Sequence, residues 1–158
     1  IDQVVERAFG STVQVDLVRR IRAASEYLPA LSLVAAVEGE VVGHAMASRA
    51  LLRGDTGDTP IANLSPLSVT PERQAAGIGS ALMRDLLDRA ETAGEELVVL
   101  EGSPPYYRRF GFEEAAPYGI ELPLPDWAPS AAGQVRWLTA APGSRSGRVI
   151  YPEPFADL

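Results

Sequence analysis

The sequence predicts an α/β fold with a mixed central sheet, splayed at a bulged strand and flanked by helices. Three observations carry that expectation. The run "LSLVAAVEGEVVGHAMASRA" reads as two strands, Leu31–Val37 and Val41–Ala50, joined into a hairpin at Glu38–Gly39–Glu40. A strand at Ile61–Val69, a helix from about Ile78 to Ala93 and the apolar "ELVVLEG" form one β-α-β crossover. Pro66 falls inside Ile61–Val69 and donates no ladder hydrogen bond, so this strand must be bulged or splayed near its middle.

The remaining elements follow in order. "QVDLVRRIRAA" places Val15, Val18, Ile21 and Ala24 on one helical face, with arginines opposite. "LLRGDTGDTP" has the glycine and aspartate content of a surface loop. The central helix shows Ile78, Leu82, Leu86 and Ala90 at i, i+4 spacing and stops at Gly94. "ELVVLEG" is a short, nearly continuous apolar strand of the buried kind. "SPPYYRRFGF" predicts a helix of one or two turns and "FEEA" the strand after it. Pro117–Pro129 is proline-rich and irregular except at "GIELPL", and "QVRWLTA" and "GRVIYP" are the last strands. At 158 residues the expectation is a single domain over 1–158, with 117–158 its more variable, substrate-side segment. "IDQVVERAFG" starts abruptly inside a helical pattern, which suggests a missing leading segment.

Composition removes several classes of function. With no cysteine, thiolate metal sites, disulfides and cysteine nucleophiles are excluded, and the single histidine, His44, excludes a histidine cluster. No metal is expected. A net charge of −7 argues against a duplex nucleic-acid partner, whose footprint is basic. No apolar run approaches the roughly 20 residues that cross a bilayer. These features point to a cytoplasmic protein acting on small molecules.

"TPERQAAGIGSALM" carries the chemistry. Glycines at 77 and 79 let the turn fold tightly and bring peptide N–H groups toward a ligand. The open N–H groups of the helix start, with the positive dipole end, favour an anion such as pyrophosphate. The phosphate loop of nucleotide triphosphatases fails on glycine spacing and lacks its Lys-Ser/Thr pair. The dinucleotide fingerprint fails because Leu82 stands where its third glycine belongs. A third pattern, Q/R-x-x-G-x-G/A after a strand ending in V-x-P, fits Gln74 to Gly79 and Val69-Thr70-Pro71.

Here the sequence resembles the GNAT superfamily of acyl-CoA-dependent N-acyltransferases. Tyr107-Arg108-Arg109-Phe110-Gly111-Phe112 matches that family's Y-x-x-x-G-F, and the order of elements agrees. The double tyrosine and the closing "GRVIYPEPF" look like the YhbS-type acetyltransferases within it. The resemblance is clear from about Val34 to Glu113 and fainter at both ends. It implies that backbone groups of Leu67, Ser68 and Val69 pair with the amides of pantetheine. It also implies that the N–H groups of Ala75, Ala76, Gly77, Ile78, Gly79 and Ser80 hold the pyrophosphate of acetyl-CoA. The activity implied is direct acetyl transfer to a primary amine, with Tyr107 protonating the departing thiolate.

Several readings stay open beside these. Gly77 and Gly79 also suit a tight helix start without a ligand. Tyr106 and Phe110, four apart, read as packing, while Tyr107 lies about 100° around and is free for the cleft. Glu101 ends a buried strand, either as a base acting through water or as a partner for a neighbouring loop. Arg108 and Arg109 read as a solvated pair, Ser68 as a backbone contact, and His44 receives no role. A non-catalytic acyl-CoA-binding regulatory domain would share the same loop. The acceptor is unnamed, an acidic surface mildly favouring a cationic amine, and a homodimer stays among the options.

Overall fold

In a computed structural model the protein is described at residues 1–156 and 158. The elements are α1 (Asp2–Phe9), α2 (Val13–Ala23), β1 (Tyr27–Val37), β2 (Glu40–Gly54), β3 (Gly57–Val69), α3 (Ile78–Thr92) and β4 (Leu97–Glu101). After them come α4 (Pro104–Tyr107), β5 (Glu113–Glu114), β6 (Ile120–Glu121), β7 (Gly133–Trp137) and β8 (Gly147–Ile150). The strands form one mixed sheet in the order β5-β7-β4-β3-β2-β8-β6, with β1 also paired to β2. This is the mixed α/β architecture expected, with β3-α3-β4 as the parallel crossover. By compactness the chain divides into two units, Ile1–Ser48 with Leu64–Arg89 and Glu153–Leu158, and Arg49–Asn63 with Ala90–Pro152.

In the first unit α2 buries Val15, Leu17, Val18 and Ile21, joined by Val5 of α1 and Met46 of β2. Ala24 lies beyond the helix in extended conformation, because α2 ends one residue earlier than its apolar spacing. The β1–β2 hairpin closes at Val37↔Glu40. Its two turn residues, Glu38 and Gly39, have φ of 51° and 79°, the left-handed pair that matches strand twist. Gly43 of β2 lies beneath α3, where a Cβ would stand 2.9 Å from Leu82 Cδ1 and 3.0 Å from Ile78 Cγ2. The predicted apolar face of α3 is therefore the one that meets the sheet.

The second unit packs Ala50, Leu52 and Ile61 with Leu97, Val99, Val135, Trp137 and Val149. Strand β4 pairs antiparallel with β7 from Leu97↔Trp137 to Glu101↔Gly133. Arg49 meets Glu95 through two hydrogen bonds, 2.6 and 2.8 Å, and donates a third to the Ile61 carbonyl at 3.2 Å.

One expectation changes. "LLRGDTGDTP" is no loop: β2 runs to Gly54 and β3 begins at Gly57, leaving only Asp55–Thr56 between them. Arg53 and Asp58, which read as loop polarity, instead pair across this hairpin at 2.9 and 3.0 Å. Strand β3 also continues through Pro66, which is buried within it and follows a cis peptide bond. Its recorded pairs with β4 are Ala62↔Val98 and Asn63↔Val99, so the parallel ladder ends ahead of the proline.

Candidate active site

The first unit presents a stretch of backbone. After Val69 the chain makes a single 3₁₀ turn, Pro71–Arg73, and then the loop that opens α3. Ala75 and Gly77 both lie in the left-handed region, with φ of 61° and 85°. For an alanine this conformation costs about 1–2 kcal/mol, so the surrounding turn must enforce it. Turns of this handedness make backbone N–H groups converge on an anion. The hydrogen bond from Ala81 N–H to the Gly77 carbonyl, 3.0 Å, closes the first turn of α3. The N–H groups of Ile78, Gly79 and Ser80 precede it, at the positive end of the helix. No atom lies within 4 Å of where a Gly77 Cβ would stand, so the approach is open. Gln74 Nε2 donates to the Val69 carbonyl at 3.1 Å and ties this loop to the end of β3. That bond links the loop carrying Ala75 to Ser80 to the strand end formed by Leu67, Ser68 and Val69. The Ser68 hydroxyl is buried without a hydrogen-bond partner.

The second unit brings side chains together around Gly102. Glu101, the last residue of β4, is exposed, and its Oε2 accepts a 2.5 Å hydrogen bond from the Tyr151 hydroxyl. Gly102 is clamped through its N–H to the Ala132 carbonyl, 3.0 Å, and through its carbonyl by Gln134 Nε2, 2.9 Å. The Tyr107 ring covers Gly102, with Cε2 only 2.3 Å from where a Cβ would be. Tyr106 packs on Phe110, centroids 5.5 Å apart, as their spacing predicts. Tyr107 is more enclosed than its helical position suggests: it meets Tyr106 edge-on at 4.9 Å and Phe112 at 6.0 Å. Burial, with a smaller contribution from Tyr106, pushes its phenol up to about 12. It therefore stays protonated at neutral pH, as an acid for a thiolate must.

Other residues find different places. His44 is fully buried in β2, and neither ring nitrogen has a hydrogen-bond partner. Burial foremost, then the charge of Arg22, lowers it to about 4, so the ring is neutral. Arg109 lies over the rings of Tyr106 and Phe110 at 5.3 and 5.5 Å. Sequence reasoning missed Gln134 and Tyr151. Only the tyrosine in "GRVIYPEPF" offered a signal, and nothing local ties it to Glu101. Among the described residues no three His, Cys, Asp or Glu side chains cluster as metal ligands, and no helix is long and apolar enough to cross a membrane.

The family model for the acetyltransferase (GNAT) domain matches residues 1–115. An uncharacterized N-acetyltransferase of Escherichia coli K12, YjhQ, is 35% identical over 158 positions, covering 98% of this chain and 86% of YjhQ. The crystal structure of the GNAT family N-acetyltransferase YhbS from Escherichia coli in complex with CoA superposes with a TM-score of 0.87. It is 30% identical, over 98% of this chain and 83% of that one. A GNAT family acetyltransferase from Brucella melitensis in complex with acetyl-CoA superposes with a TM-score of 0.79. There the identity is 34%, over 98% of this chain and 89% of its counterpart. This chain belongs to the GNAT acetyltransferase family.

Proposed function

We propose that the protein is an acetyl-CoA-dependent N-acetyltransferase that moves the acetyl group to a primary amine by direct attack. The observation that carries this reading is the backbone loop Gln74–Ser80. Its left-handed residues, open approach at Gly77 and position at the start of α3 suit a pyrophosphate. Backbone groups of Leu67, Ser68 and Val69 would hold the pantetheine amides, and those of Ala75 to Ser80 the phosphates. Two similar proteins whose structures contain CoA or acetyl-CoA support the choice of ligand.

The chemistry asks three things of the chain. The thioester must be held still while the amine approaches, which is a gain through orientation. The amine must first lose a proton, since an ammonium has no lone pair to attack with; Glu101, directly or through water, takes it. Nitrogen then attacks the carbonyl carbon, the C–S bond breaks, and Tyr107 gives its phenolic proton to the thiolate. The second proton leaving nitrogen restores the phenol, so one proton in total passes to solvent by way of Glu101. A cationic acceptor, a polyamine, an aminoglycoside or a lysine side chain, suits the net charge of −7.

Release of free CoA thiol from acetyl-CoA across a panel of such amines tests the activity. Thermal unfolding tests the ligand: acetyl-CoA at 100 times Kd should stabilise by about 2.7 kcal/mol, and NAD should not. Equal shifts from both ligands would remove the CoA assignment. A shift from acetyl-CoA with no thiol release from any amine would favour a regulatory acyl-CoA-binding domain instead.

A further inference from the structure

We infer that Tyr151 is a positioning residue for acceptor deprotonation, holding one oxygen of the Glu101 carboxylate and leaving the other for the amine. The inference rests on the acetyltransferase reading and deepens it. Glu101 is exposed, and an exposed glutamate left alone samples many rotamers. Here its main chain is fixed by pairing with Gly133 and by the double clamp on Gly102. Gln134, which makes half of that clamp, is 2% exposed, so the clamp is built into the core. Its side chain is then fixed by the 2.5 Å hydrogen bond from Tyr151. The Tyr151 ring packs against the core of the second unit and carries its hydroxyl outward to the carboxylate. A rigid ring anchored in apolar surroundings limits the angles at which Glu101 can stand.

The bond also has the right polarity. A carboxylate that is to receive a proton needs an oxygen free to face the acceptor, and a donor bound to Oε2 occupies only one of the two. Burial first, and then Glu101 itself, raises the Tyr151 phenol far above its ordinary value, so it remains a donor at every working pH. In the step proposed, an N–H bond of the acceptor ammonium breaks, an O–H bond forms on Glu101, and the electron pair stays on nitrogen. Glu101 afterwards returns the proton to water. Tyr151 exchanges no proton at any point.

The test is a double-mutant cycle with wild type, Tyr151→Phe, Glu101→Gln and the double variant. CoA thiol release is followed with spermidine, kanamycin and a lysine peptide across the pH range. Tyr151→Phe should lower kcat/KM for the amine about tenfold, the effect of losing one hydrogen bond to a charged group. KM for acetyl-CoA should not change. In the Glu101→Gln background the same substitution should do nothing further. Equal losses in both backgrounds would make Tyr151 merely structural and overturn the inference. So would full activity in Tyr151→Phe beside an impaired Glu101→Gln. Full activity in Glu101→Gln would overturn the inference and leave the acetyltransferase reading standing. No turnover of any of the amines by the wild type would overturn both.

Discussion

Between Val69 and Ser80 the chain offers a ligand chiefly its own backbone, whereas around Gly102 it offers side chains from four separate stretches. In the first region the useful groups are N–H donors set by two left-handed residues and the start of α3. In the second they are Glu101, Tyr107, Gln134 and Tyr151, drawn together by β4, α4, β7 and the residue after β8. A site made of consecutive peptides recognises a shape and tolerates many side chains. A site made of side chains performs proton transfer and depends on each one. If the first region binds acetyl-CoA and the second moves the protons, as proposed, substitutions should separate binding from chemistry.

The largest expected effect belongs to the second region. Tyr107→Phe keeps the ring over Gly102 but removes the proposed acid, and kcat should fall about 10²- to 10⁴-fold. Acetyl-CoA affinity, measured by calorimetry, should barely change. Tyr106→Phe is the control, since that ring packs on Phe110, and it should retain near-normal kcat. A chemistry-limited kcat that survives Tyr107→Phe would leave the tyrosine as only a wall of the cleft.

Next comes a test of whether the first unit's histidine serves folding rather than chemistry. Burial holds the folded His44 ring down to about 4, against an ordinary value of 6.5. The unfolded chain therefore binds this proton more readily between those limits. The stability from keeping the ring neutral is complete above about pH 6.5 and declines as pH falls toward 4. The loss should approach about 3 kcal/mol. Denaturant unfolding at pH 7 and pH 4.5 measures it, and His44→Leu should flatten the dependence in that window. An unchanged slope in His44→Leu would assign the acid lability to other groups.

The smallest effect sharpens the backbone side of the contrast. Gly77→Val must hold a branched side chain at φ 85°, which strains the turn by about 1–2 kcal/mol. Acetyl-CoA binding should weaken by roughly tenfold or more. Circular dichroism should still show a folded protein, because the space beside Gly77 is open. Undiminished affinity in that variant would move the phosphates elsewhere.

The same contrast explains what could be read in advance. The β-α-β crossover, the first hairpin and α3 were legible because helix and strand periods and turn residues are local properties. Ile78 and Thr92 bound α3 within a residue of the expected limits. The glycine-spaced turn into α3 was legible for the same reason, since its left-handed residue at Gly77 and the helix start at Ile78 are local. The second hairpin was not, because "LLRGDTGDTP" hides its strands behind turn-forming residues whose charges pair only after folding. Tyr151 lies 50 positions from Glu101, and no spacing rule joins them. Tyr107 was picked out by its motif, while its enclosure by Phe112 and Tyr106 emerges only in three dimensions.

Gly102 carries a consequence for how this protein can vary. The seat of the Tyr107 ring is made by an atom that is missing, since a Cβ would fall 2.3 Å from Cε2 and 2.9 Å from Cδ2. Alanine, the next smallest side chain, already overfills it. Position 102 therefore has no conservative replacement, although its own residue bears no functional group. Any change there would evict the ring and move the phenolic hydroxyl with it. The reach of the tyrosine is set one residue beyond the end of β4, by a hydrogen where every other amino acid has carbon.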